Sequence, residues 1–469
     1  MTLIPGLPPR IHFAGIGGAG MSGLAAVLHE AGHQITGSDR DRTPVVEELL
    51  AAGIPVRLRQ DGLPEETDLV VRTAAMPLSH PELLVAAARG LPIMKRAELL
   101  GLLCDTPVSV AVAGTHGKTT ITAMTARLLQ ACVPDAGWFI GGRHDSLPSA
   151  RLGAGRVRVC EADEFDRSFL ELHPTHLLLG ATDWDHADVY PTREAMEEAF
   201  DQLAGQIRGE APIIQQVGEG ALGGRPWLPD CVRQGRRRRL TVGEERGADL
   251  RVMPRGGAGN CFDLVCRVTP DGTAGTLRLP VRLGLPGGHN RVNAATALGW
   301  LLYGEWGGRV DPHEAALALQ DFAGLQRRFQ LISASGSRRL YDDYAHHPSE
   351  IAAFIRGLRE IGRGPLTIIH QPHTYSRVKA FAEPTGRALS AADRVILWPV
   401  FAAREAPEAG VDHRSILPFV TARRRLAVDS AEELFAELRD HLAPDEVVAT
   451  VGAGDLYKLH GELKAIISA

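Results

Sequence analysis

Val108-Ser-Val-Ala-Val-Ala-Gly-Thr-His-Gly-Lys-Thr-Thr-Ile-Thr-Ala-Met-Thr-Ala-Arg-Leu-Leu129 changes its period partway along. Small and β-branched residues lead up to Gly114, and apolar residues then recur at Ile121, Met124, Leu128 and Leu129. That pattern reads as strand, glycine-rich turn, helix. Gly114 and Gly117 let backbone N–H groups approach phosphate oxygens, Lys118 adds a point charge, and the Thr119 hydroxyl suits Mg²⁺. The full phosphate-loop pattern has its first glycine six residues before the lysine, where this chain has Val112. The shortened Gly-x-x-Gly-Lys-Thr-Thr still predicts a nucleotide-triphosphate site, because strand, loop, Lys-Thr and helix rarely coincide by composition.

Toward the N-terminus, Ile11 to Ala14 reads as a buried strand followed by Gly15-Ile-Gly-Gly-Ala-Gly20 and a helix through Leu24, Val27 and Leu28. A second strand near Ile35 ends at Ser38-Asp39. The spacing is that of a dinucleotide-binding fingerprint, whose acidic residue follows about 20 positions on. On its own it says only that backbone approaches a diphosphate, so a dehydrogenase cofactor and a nucleotide sugar both satisfy it. Leu69 to Val71 form another strand running into Thr73, helices follow at Pro81–Arg89 and Ala97–Leu103, and Asp105-Thr106-Pro107 marks a boundary.

Toward the C-terminus, two further strands end in chemistry: Val157 and Val159 lead to Cys160-Glu-Ala-Asp-Glu164, and Leu177 to Leu179 lead to Asp183-Trp-Asp-His186. Open α/β sheets bind ligands at the carboxyl ends of their strands, so these carboxylates and His186 are candidates for a Mg²⁺ shell beside the phosphate loop. The plainer alternative makes the acids solvated and His186 a helix cap. Residues 213 to 283 read as antiparallel strands and turns without chemistry. Gly287 to Asn293 open a helix, where His289, Asn290 and Asn293 suit either capping or a purine edge. From Phe329 onward strands and helices alternate again as a doubly wound unit. Its strand ends carry Asp342-Asp-Tyr-Ala-His-His-Pro348 and Gln371-Pro-His-Thr-Tyr-Ser-Arg377.

The chain has 469 residues, a net charge of −5 and 23% charged residues, which suits two to four globular domains. Arg233 with Arg236 to Arg239 forms the one basic run; without interleaved aromatics it reads as a solvated strand edge, not a nucleic-acid patch. Six cysteines without a Cys-x-x-Cys pair suit buried thiols in a reducing compartment. No apolar run approaches the roughly 20 residues of a membrane span, and no signal-peptide core is present, so a cytoplasmic location is expected.

Gly15 to Gly23, Gly114 to Thr120, Glu161-Ala-Asp-Glu164 and Asp185-His186 together resemble the Mur ligases of bacterial peptidoglycan synthesis. So do Gly288-His-Asn290 with Asn293, Arg327-Arg-Phe329 and Asp342 to Pro348, in the same order over nearly the whole chain. Within the family, Gln371 to Arg377 is similar to members that join L-alanine to UDP-N-acetylmuramate. The resemblance implies an α/β fold of three domains. A Rossmann-like domain at 1–106 would hold UDP-N-acetylmuramate, a central domain at 107–322 with a mostly parallel sheet would hold ATP, and a Rossmann-like domain at 323–469 would position the amino acid. It also implies a monomer or weak homodimer acting on small molecules.

By the same resemblance, Gly15, Gly17, Gly18, Gly20, Met21, Ser22, Ser38, Asp39 and Thr73 face the UDP substrate. Gly114, Thr115, His116, Gly117, Lys118, Thr119 and Thr120 hold ATP with His289, Asn293, Arg328 and Asp343. Thr119, Glu161 and His186 hold Mg²⁺; Tyr344, His346, His347 and Arg377 face the amino acid. Lys118, His346 and Arg377 are the expected catalytic residues, with His346 or His347 as base toward the amine. Two departures stand out. Gly180-Ala181 replaces the family's Thr-Asn, and Asp185-His-Ala-Asp188 is similar to the related ligase that recycles a whole murein tripeptide. A non-catalytic nucleotide-sugar sensor is the alternative of a different class.

Overall fold

A computed structural model describes residues 3–469 other than 75, 187–188, 219–226, 257–258, 269–273, 305, 307, 363 and 404. Three sheets follow one another along the chain. The first is wholly parallel and runs Val56–Arg57, Gln34–Ser38, Arg10–Ala14, Leu69–Arg72, Ile93–Lys95 across the sheet. Phe13, Val70 and Val71 are fully buried, as expected of a parallel strand covered on both faces.

The second sheet has ten strands and contains Val108–Ala113 between His176–Leu179 and Val157–Glu161. All six residues of Val108–Ala113 are buried. The helices Lys118–Cys132 and Gly288–Tyr303 pack beside each other in the same core, the second buried along nearly its whole length. The third sheet has six strands, with Arg338–Asp343, Val447–Val451 and Leu366–His370 adjacent and parallel.

Residues 213 to 283 depart from the antiparallel expectation. Ile213–Gln216, Arg239–Gly243 and Leu250–Pro254 extend the central sheet in parallel, and only Cys261–Val268 and Ala274–Arg282 turn antiparallel. The short link from Gly243 to Leu250 is possible because the end of one strand pairs with the start of the next, Val242 opposite Leu250 and Gly243 opposite Arg251. The chain therefore steps sideways without a long return crossover, so strand spacing in the sequence hid the direction. The basic run is partly internal to this fold: the Arg237 guanidinium donates to the carbonyls of Ile207, Gly209 and Ala211. Among the described residues no helix is long and apolar enough to cross a membrane.

Candidate active site

The turn after Val108–Ala113 is built against the turn after His176–Leu179. Thr115 N and His116 N donate to the Ala181 carbonyl at 2.8 and 3.2 Å. The Thr115 hydroxyl donates to the Asp183 carbonyl at 2.6 Å. This close stacking accounts for Gly180, since a Cβ there would lie 2.5 Å from the His116 carbonyl oxygen. Glycine at 180 is thus a steric condition of this loop; nothing in the structure explains Ala181. Gly117 has φ +82°, and a Cβ on it would meet Asn293 Oδ1 at 2.9 Å, so both conformation and space require glycine.

Lys118 begins the helix, and its ammonium sits 2.6 Å from Glu164 Oε2 while donating to the Gly114 carbonyl at 2.8 Å. Burial opposes its charge, and Glu164, Asp163 and Glu161 overcome this and raise its pKa. The Thr119 hydroxyl donates to Glu161 Oε1 at 3.0 Å, and Gly141 N donates to Glu161 Oε2 at 3.0 Å. Burial raises the Glu161 pKa, with Asp163 adding repulsion, so a positive charge beside it is favoured. A hydroxyl and a carboxylate are hard oxygen donors, and this pair fits Mg²⁺. His186, the third residue of the expected shell, lines the same cavity, and its Nε2 lies 3.6 Å from Glu164 Oε1. Burial lowers its basicity, but Glu164 and Asp185 raise it above the ordinary histidine value.

A cavity of about 750 Å³ opens between the central and third sheets. Lys118, Thr119, Glu161 and His186 line one side, and Arg328, Tyr344, His346 and Arg377 line the other. Arg377 reaches across and donates to both oxygens of Asp185. Burial opposes the Asp185 charge, but Arg377 chiefly holds its carboxyl far below the usual range. His346 Nδ1 lies 3.1 Å from the Tyr344 carbonyl, and burial pushes its pKa down to about 3. The guanidiniums of Arg327 and Arg328 flank the Tyr344 ring at 4.9 and 5.1 Å. His186, Arg327, Thr374 and Ala403, all on this cavity, have positive φ between 52° and 61°. Strain of this kind, rare for non-glycine residues, concentrates at functional sites.

A second cavity of about 260 Å³ lies between the first and central sheets, lined by Gly18, Gly20, Met21 and Thr73. It shares Gly141, Glu161 and Asp163 with the larger one. Asp39 Oδ2 accepts from Gly17 N at 2.8 Å, which closes the glycine loop, and Gly15 N and Ile16 N donate to the Ser38 carbonyl. The Ser38 side chain faces inward instead, donating to Glu82 Oε2 at 2.7 Å. Arg96 also lines this cavity and was missed by sequence reasoning. Its signal was a basic residue opening a helix directly after the strand Ile93–Lys95.

Several expected nucleotide contacts lie beneath the cavity wall. His289 is half-buried beside Phe329, its pKa pushed down to about 4 by desolvation, and Asn293 accepts from Gln216 Nε2 at 3.0 Å. Asp343 accepts from Phe329 N at 2.7 Å and Ala345 N at 2.8 Å, and burial pushes its pKa up to about 7. His116 and His347 pack ring against ring, 4.8 Å between centroids. His116 Nδ1 lies 3.1 Å from Glu350 Oε1, and its Nε2 lies 3.4 Å from Asp183 Oδ2. Burial disfavours the His116 charge, but these two carboxylates push its pKa up to about 9. Glu350 is the other residue that sequence reasoning passed over, and Glu164, read only as one of several carboxylates near the loop, is the partner of Lys118. Nothing in local pattern distinguishes them from solvated acids, although both are in fact buried or nearly so.

Residues 10–106 match the model described as Mur ligase family, catalytic domain, and residues 327–454 match Mur ligase, glutamate ligase domain. The UDP-N-acetylmuramate–L-alanine ligase of Mycobacterium marinum is 36% identical, over 98% of this chain and 96% of its own length. Among solved structures, the UDP-N-acetylmuramate–alanine ligase of Thermotoga maritima superposes with a TM-score of 0.75 at 24% identity, covering 97% of each chain. A murein peptide ligase from Psychrobacter arcticus gives 0.67 at 22% identity, covering 98% of this chain and 99% of its own. Those two likenesses speak to the fold. With an ATP-ligase-type phosphate loop facing a C-terminal lobe, and a relative matching end to end, the chain belongs to the Mur ligase family.

Proposed function

We propose that this chain joins L-alanine to the lactyl carboxylate of UDP-N-acetylmuramate, using ATP and passing through an acyl phosphate. The observation that carries this reading is the wall of Gly141, Glu161 and Asp163 common to both cavities. An acid held by the glycine loop can there meet a triphosphate held by Lys118. In this reading residues 1–106 bind UDP-N-acetylmuramate, 107–322 bind ATP, and 323–469 position the amino acid.

The N–H groups of Gly15 to Gly20 approach the UDP diphosphate, and Arg96 adds positive charge. Lys118 exchanges Glu164 for phosphate oxygens, and Arg328 faces the same charge from across the cavity. Thr119 and Glu161 hold Mg²⁺, which when bound neutralises the triphosphate against the incoming carboxylate. Arg377, freed from Asp185, pairs the carboxylate of the amino acid. His346, with a pKa near 3, orients the amine through a neutral ring and does not store its proton. Closure of the third sheet over the cavity excludes water from the acyl phosphate.

The test is ADP release with UDP-N-acetylmuramate, ATP and Mg²⁺, with free L-alanine or the murein tripeptide as acceptor. Release that depends on alanine, with the mass of the amide product, supports the proposal. Release with the tripeptide alone converts it to a recycling ligase, and no release with any acceptor removes the catalytic reading.

A further inference from the structure

Glu350 occupies the third position of the helix Pro348–Ile361, where its Oε2 accepts from the backbone N–H of His346 at 3.1 Å and of His347 at 3.4 Å. That alone is a capping box, an ordinary way to satisfy a helix end. Its other oxygen does something else. Oε1 lies 3.1 Å from Nδ1 of His116, in the middle of the phosphate loop, and 3.8 Å from the Arg328 guanidinium. One largely shielded carboxylate thus touches the nucleotide loop of the central sheet, the Arg328 guanidinium, and the His346-His347 turn.

His116 is locked from its other side as well. Its Nε2 faces Asp183 Oδ2 at 3.4 Å, and Asp183 Oδ2 accepts from the Ser349 hydroxyl at 2.7 Å, again on the C-terminal lobe. His116 is 2% exposed, so water does not screen these contacts. The charged and titratable groups around it are Asp183, Glu350, the His347 ring and, on its own loop, Lys118. Two carboxylates against one imidazole favour the doubly protonated ring.

We propose that Glu350 is a positioning residue that couples the phosphate loop to the amino-acid lobe, through a charged contact with His116. The proposal rests on the ligase reading given above. Its consequence is mechanical: the Tyr344 to His347 turn takes its catalytic place only when the loop bearing Lys118 is in register with it. Displacement by about 1 Å at such a joint is enough to cost a reaction about a hundredfold.

Glu350→Gln separates this role from capping, because glutamine also completes a capping box but carries no charge for His116. The experiment measures ADP release by the full chain across pH, with ATP and L-alanine varied separately, beside circular dichroism of each variant. Wild-type turnover comes first, since its absence would count against the ligase reading and not against Glu350. With an active wild type, Glu350→Gln is expected to lose about tenfold to a hundredfold in kcat/KM for L-alanine. If the His116 ring, with its pKa pushed up to about 9, sets an alkaline limb in the wild type, that limb is expected to move toward neutrality in Glu350→Gln.

His116→Asn approaches the joint from the other side, and the double variant is expected to be no worse than the poorer single one. If Glu350→Gln keeps the wild-type KM and the wild-type alkaline limb, Glu350 is a helix cap and the proposal fails. If that variant does not fold, the His116→Asn profile decides alone. An unmoved alkaline limb in His116→Asn overturns the coupling.

Discussion

Arg377 Nη2 donates to Asp185 Oδ1 at 2.9 Å and Oδ2 at 2.8 Å, joining the helix Tyr375–Leu389 of the third sheet to the loop that ends in His186. Both side chains are shielded, at 15% and 4% exposure, so removing one of them leaves a stranded charge. In the proposed reaction the same guanidinium receives the amino acid's carboxylate. Arg377→Ala is therefore expected to raise the KM for L-alanine more than that for ATP, and to lower the unfolding temperature. An unchanged alanine KM in steady-state kinetics removes Arg377 from the acceptor pocket.

Lys118 is held in place by Glu164 and the Gly114 carbonyl, so truncating it leaves the loop's backbone bonds to Ala181 intact. Lys118→Ala is expected to fold normally by circular dichroism and to lose about a hundredfold to a thousandfold in ADP release. Ordinary turnover in that variant would contradict a phosphate-binding role for the loop.

The tight seat of Gly180 gives a steric prediction. Gly180→Ala drives a Cβ toward the His116 carbonyl, 2.5 Å away, and so pushes on the loop from below. A raised KM for ATP, with the KM for UDP-N-acetylmuramate little changed, is the expected kinetic signature.

The hydroxyl and carboxylate of the proposed cation site predict a metal effect. Glu161→Gln retains an acceptor for the Thr119 hydroxyl but removes the charge that burial has left unbalanced. The Mg²⁺ concentration for half-maximal turnover is expected to rise; a curve that superposes on the wild type would exclude Glu161 from the cation shell.

His116 makes stability depend on pH in a definite direction. Its pKa is raised from 6.5 to about 9 in the folded chain, so its contribution is complete below about pH 6.5 and is lost as pH rises through 9. The gap corresponds to roughly 3 kcal/mol at most. Thermal unfolding followed from pH 6 to 10 should fall more steeply for the wild type than for His116→Gln across that window. Parallel slopes would mean that the ring is not charged in the folded state.

Much of this was legible from local pattern. The strands Leu366–His370 and Val447–Val451 and the phosphate-loop corner follow directly from runs of β-branched residues closed by glycine or polar turns. The glycine loop at 15–20 was legible for the same reason, since its chemistry is carried by backbone. What sequence could not reveal was direction and partnership. Nothing in residues 239 to 254 distinguishes a sideways parallel step from a hairpin, because the difference lies in register. Nor does any local signal say that His116 meets Glu350, 234 positions away, or that His186 lies beside Glu164. Side-chain fate at a junction between lobes is set by the packing of distant segments, and short-range periodicity does not encode it.

The wall of Gly141, Glu161 and Asp163 that both cavities share has a pharmacological consequence. A single compound that tethers a nucleotide-sugar acid to an ATP mimic would need only a linker long enough to pass the residues common to both chambers. Its second half would then bind at the millimolar local concentration that a short tether supplies. Such a hybrid should therefore inhibit far below the concentrations at which either half acts separately, and its best linker length should measure the distance between the two chambers.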